Sequence, residues 1–130
     1  MKNYLLILFA FSSVLFTYAG STPVDTTKAK IKPVDFSKNC DKIDAVYILI
    51  GQAIEVGAPT YNEGNHIGCY MIYEGTAYKI LNKYGSRCSE VSNILEGALE
   101  KSQGNYSATD KAWIMRMAFD KILGEPTKTK

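Results

Sequence analysis

The chain has 130 residues, with 15 Lys and Arg against 13 Asp and Glu, one histidine and three cysteines. That length allows one domain with a modest core. A formal charge of +2 spread without blocks excludes the electrostatic footprint of a nucleic-acid or anionic-membrane binder.

The amino terminus has the three parts of a secretory signal peptide. Lys2 supplies the positive charge, and Leu5 to Phe16 is apolar except for Ser12 and Ser13. Thr17, Tyr18 and Ala19 then offer a peptidase site, so residues 1–19 are expected to be removed after Ala19, with Gly20 as the alternative. The run is shorter than the ~20 residues that cross a bilayer. No cysteine near the cleavage site suggests a lipid anchor. The expected destination is the periplasm or the exterior, with no membrane attachment after cleavage.

Residues 20–37 carry Pro23, Pro33, Thr22, Thr26, Thr27 and the lysines 28, 30 and 32. Such a stretch buries too little to offset its ordering entropy and is expected to be a flexible linker, with Val34 and Phe36 its only docking candidates.

A helical domain is expected over residues 38–124. Ile43, Val46, Tyr47, Ile50 and Ile54 recur at helical steps, and Ala45, Leu49, Ala53 and Val56 add a second apolar face. A helix apolar on most sides is expected to be buried on most sides. Pro59, after Gly57 and Ala58, is expected to end or kink it. Asn62 to Asn65 reads as a turn with Gly64 left-handed and Asn65 as a cap. The second helix is expected from His66 to Tyr84, lined inwardly by Ile67, Tyr70, Met71, Tyr73, Ala77, Ile80, Leu81 and Tyr84 and stopped by Gly85.

The third helix is expected to open at Ser86 or Arg87. Its stripe is Val91, Ile94, Leu95, Ala98 and Leu99, with Ser92, Asn93, Glu96, Glu100 and Lys101 toward water. Ser107 to Asp110 resembles a capping box for a fourth helix carrying Ala112, Trp113, Met115, Met117, Phe119, Ile122 and Leu123. Gly124 and Pro126 close it, and residues 125–130 read as a frayed tail. No alternating strand pattern is present. The fold class is all-α, a four-helix bundle or two stacked antiparallel helical hairpins.

Residues 50–83 resemble one tetratricopeptide-type repeat. Gly57, Gly64, His66, Cys69, Tyr73 and Thr76 occupy its small and aromatic places, and Tyr61-Asn62-Glu63-Gly64-Asn65-His66 is similar to its turn. Small residues there let two helices approach while the aromatic fills the groove. Pro59 within the first helix and the missing terminal proline depart from the pattern. A second copy is only hinted at by Gly97, Gly104 and Tyr106. The resemblance implies a peptide- or protein-binding role without chemistry.

No cysteine pair has the spacing of a zinc, redox or haem-attachment motif. His66 and Cys69 share a helix face at i and i+3, with no third group to orient the ring. They read as a turn residue and a small core residue. Asp41 and Asp44 fall in the first turns of a helix, and Arg116 and Asp120 read as a surface ion pair at i,i+4. No phosphate-binding glycine loop appears. The sequence therefore reads as non-catalytic, with no metal and no cofactor.

The outstanding feature is aromatic. Tyr61, Tyr70, Tyr73, Tyr78 and Tyr84 crowd the first hairpin with Tyr47 opposite. Core packing is one reading; a binding surface of Tyr61, Asn62, His66, Tyr70, Tyr73 and Tyr78 for a protein or peptide is the other. A different class of function is a periplasmic four-helix protein holding haem or a small molecule between the hairpins, near His66, Met71 and Met117.

Geometry selects the disulfide. Helix one rises ~25 Å from Cys40 at 1.5 Å per residue and helix two descends, which returns Cys88 to the level of Cys40. Cys69 lies too far along the axis for a bond that needs Cα atoms within about 7 Å. Export favours oxidation, so the expected pair is Cys40–Cys88, with Cys69 a buried free thiol.

Overall fold

The structure is a computed structural model, and residues 34–126 of it are described here. The expected signal peptide, residues 1–19, most of the expected linker and residues 127–130 lie outside the described residues. Contacts divide the chain into units Met1–Lys30 and Ile31–Lys130, and all that follows concerns the second.

Among the described residues there are four α-helices and no strand: α1 (Ile43–Asn62), α2 (His66–Tyr84), α3 (Ser89–Ser102) and α4 (Ala108–Leu123). Short 3-10 turns at Phe36–Lys38 and Gly85–Arg87 precede α1 and α3. The all-α class is as expected. The helices pack in the order α1, α2, α4, α3, with α2 and α4 central. α1 with α2 and α3 with α4 form two hairpins, which meet chiefly along α2 and α4.

That order corrects the reading of α1. As an edge helix it packs mainly on α2, so it buries Val46, Ile50, Ala53 and Gly57 while Ile48 and Val56 stand exposed. On α2 the buried positions are Cys69, Tyr70, Tyr73, Ala77 and Ile80. Ile67 and Met71, expected inside, face outward because these five positions take the contacts with α1 and α4.

Pro59 does not end α1, which continues to Asn62. The carbonyl that loses its donor belongs to Glu55, an exposed residue on the outer side of α1. Beyond it, the Pro59 carbonyl accepts from Glu63 N at 3.0 Å, and the Thr60 hydroxyl donates to the Val56 carbonyl at 2.8 Å. Gly64 takes φ +87°, and the Asn65 side chain accepts from Gly68 N at 2.9 Å. The turn is therefore built as its residues predict.

Gly85 does not adopt the left-handed conformation common at helix ends; it is right-handed and opens the 3-10 turn that delays α3 to Ser89. Ser92, expected toward water, is buried and donates to the Gly85 carbonyl at 3.1 Å. At α4 the Ser107 hydroxyl accepts from Asp110 N at 3.1 Å, and Gly124 closes the helix at φ +71°.

The end of the expected linker is ordered. Phe36 is only 2% exposed, and Asp35 caps its turn by accepting from Ser37 N. Val34 and Phe36 border a hollow of about 280 Å3 with Glu90, Asn93, Ile94 and Lys121, which places this strap against α3 and α4. Cys40 and Cys88 form a buried disulfide with Cα atoms 4.2 Å apart and an antiparallel backbone bridge between them. Beside it Arg87 pairs with Asp41, both about half exposed. Cys69 is a buried free thiol. No helix among the described residues is long and apolar enough to cross a membrane.

Candidate functional site

A cleft of about 130 Å3 opens between the two hairpins. Its walls are Ala58, Tyr61 and Asn62 from α1, Cys69 and Tyr73 from α2, and Ala112, Trp113 and Arg116 from α4. Trp113 and Arg116 share a face of α4 at i and i+3, and Ala58, Tyr61 and Asn62 lie one turn apart on α1.

The aromatic wall is held by directed contacts. The Trp113 indole donates from Nε1 to the Tyr61 hydroxyl at 2.9 Å, and the rings meet edge-on with centroids 6.0 Å apart. Tyr61 also lies 4.3 Å from the His66 ring. His66 Nδ1 is 2.8 Å from the Thr109 hydroxyl. This chain of contacts joins the turn of the first hairpin to the start of α4 and fixes the Tyr61 ring.

One lining residue, Arg116, is charged and paired. The Arg116 Nε donates to Asp120 Oδ1 at 2.7 Å, with side-chain exposures of 22% and 3%. The expected surface pair is thus buried on its acidic side, because Asp120 lies on the core face of α4 beside Phe119. Burial works against the Arg116 cation, but the bond and charge of Asp120, with help from Tyr73, outweigh it and raise its pKa. Burial, followed by the Cys69 hydrogen bond, pushes the Tyr73 hydroxyl up to about 12. Burial likewise raises the Cys69 thiol, which disfavours the nucleophilic thiolate.

The structure brings Tyr61, Asn62 and Tyr73 of the expected surface to the cleft and leaves His66 behind Tyr61 as its support. Tyr70 does not join them. It is buried, donates to Glu74 at 2.5 Å and sits 3.2 Å from Ser102 Oγ, which makes it a joint between α2 and the end of α3. Tyr78 is 47% exposed on the outer side of α2, away from the cleft. His66 and Cys69 have separate partners, Thr109 and Tyr73. Met71 and Met117 are both exposed and line no part of the cleft. Among the described residues no group of three or more His, Cys, Asp or Glu is placed to hold a metal.

Trp113, Arg116, Ala58 and Ala112 complete the site without having been legible as site residues. The i,i+3 relation of Trp113 and Arg116 was visible, but not which hairpin they face. Compared with family models, curated proteins and solved structures, the chain finds no match in any of the three.

Proposed function

We propose that the chain is an exported, non-catalytic binding module that holds one apolar or aromatic side chain of a protein or peptide partner in the cleft between its hairpins. The volume of the cleft carries this reading. At about 130 Å3 it is well below the ~300 Å3 at which pockets for drug-sized ligands begin. It is close to the ~150 Å3 that accommodates a benzene ring. Haem is far larger. Tyr and Trp walls give large contact area at low entropic cost, as at protein-binding hot spots. The hairpin's resemblance to a tetratricopeptide repeat points the same way. Export is supported by the amino-terminal pattern and by the Cys40–Cys88 disulfide.

Trp113 is the chain's single tryptophan, so its fluorescence reports on the site alone. Titration with capped phenylalanine and leucine peptides is expected to shift its emission saturably, and Ala58→Leu, which fills the cleft, to abolish the response in a folded protein. No response to any apolar peptide would overturn the reading. A visible cofactor band lost on His66→Ala would replace it with the haem alternative.

A further inference from the structure

The one charged residue lining the cleft bears on what the occupant carries. Arginine has five N–H donors. In Arg116 the Nε–H is committed to Asp120, and the only other hydrogen-bond partner among the described residues is the Tyr73 hydroxyl. The two terminal nitrogens hold four N–H groups, so donors remain at the wall of an apolar cleft. An occupant that presents an oxygen acceptor to them gains a hydrogen bond in partly dry surroundings; one that covers them with hydrocarbon leaves them unsatisfied.

Charge decides between acceptors. Asp120 is almost fully buried and balances the arginine. An incoming carboxylate would meet a neutral pair and add an unpaired negative charge near the Asp120 carboxylate, while losing part of its hydration. An uncharged carbonyl accepts the same hydrogen bond without that penalty.

Resting on the binding reading above, we propose that Arg116 makes the cleft selective for an apolar, ring-sized group bearing an uncharged carbonyl oxygen, and that Asp120 sets the selection against carboxylates. In a partner polypeptide this chemistry is an aromatic or branched side chain with a neighbouring backbone amide, rather than a free chain terminus.

The test uses three probes of one size: benzamide, benzoate and toluene. The readout is the Trp113 indole N–H resonance of the oxidised protein. Benzamide is expected to bind about tenfold more tightly than either of the others, the value of one added hydrogen bond to a charged donor. Toluene binding as tightly as benzamide would overturn the role of Arg116 and leave the cleft reading standing. Benzoate binding more tightly than benzamide would overturn the charge argument. If none of the three moves the resonance, the cleft reading fails with the proposal. Asp120→Asn keeps the shape and the acceptor for Nε while uncovering the arginine's charge. It is expected to reverse the order of benzoate and benzamide; an unchanged order would exclude Asp120 as the selecting residue.

Discussion

Gly57 and Tyr73 share one space. A Cβ added at Gly57 would lie 2.8 Å from Tyr73 Cζ and closer still to Cε1, so the tyrosine ring occupies the place of the missing side chain. The contact sets the approach of α1 to α2 and seats the ring that forms part of the cleft.

Gly57→Ala is therefore expected to destabilise. Overpacking of this kind costs ~1–3 kcal/mol, against a helix-propensity gain of up to ~1 kcal/mol. The neighbouring Gly51→Ala meets nothing within 4 Å and is expected to stabilise by about 0.5–1 kcal/mol. Urea unfolding of the two variants gives the comparison. Stabilisation by both changes would show that backbone propensity, not the ring contact, governs α1.

Gly64 isolates a pure backbone effect. Its φ is +87° and an added Cβ has open space around it. Gly64→Val is expected to lose about 1–2 kcal/mol from the left-handed conformation alone. Gly64→Asn should lose less, since asparagine tolerates that region. Equal melting temperatures for all three proteins would mean the turn rearranges freely.

The disulfide joins residues 48 apart in sequence. Loop-closure entropy gives it about 4 kcal/mol of stabilisation. A Cys40→Ala/Cys88→Ala double variant is expected to lose most of that, read by denaturant midpoint. Peptide mapping of the unreduced protein should recover the Cys40–Cys88 crosslink and one alkylatable thiol, Cys69, after unfolding. A crosslink containing Cys69 would contradict the order of the helices.

Alkaline pH should weaken the fold. Burial, its first cause, holds the Tyr73 hydroxyl at about 12 in the native state, against 10.0 for the free side chain. The unfolded chain thus releases its proton first. Stability is full below pH 10 and falls as pH rises toward 12. Tyr70, raised by burial and by its bond to Glu74, adds in the same direction. Tyr73→Phe should flatten this part of the stability–pH curve by on the order of 2 kcal/mol. An unaltered slope would place the loss elsewhere.

The number of helices and their order along the chain, the Gly64 and Ser107 turn chemistry and the disulfide were legible because each depends on local pattern or on length along an axis, whereas the end of α1 and the start of α3 were not. Burial on α1 was not: Ile48 and Val56 extend an apolar face that local periodicity cannot distinguish from a buried one, and only the helix order shows that nothing covers it. Arg116 and Asp120 have the same i,i+4 spacing on a surface as in a core, so their partial burial was invisible. The cleft shared this limit. Tyr61 and Tyr73 stood out as part of an aromatic cluster and Asn62 as a turn residue beside it, but Trp113 joins them only through the packing of α4 on α2.

The Cys40–Cys88 bond closes a covalent ring through both helices of the first hairpin, while α3 and α4 hang outside it. The exposed turn Glu63–Asn65 lies on that ring. A protease that cuts there produces no free fragment: the two pieces stay linked through sulfur and migrate as one species until a reductant is added. The same nick in the connection Gln103–Ser107 lies off the ring and releases α4 at once on unfolding. A chain built this way tolerates its first wound better than its second, and gel mobility with and without thiol reports which one it has taken.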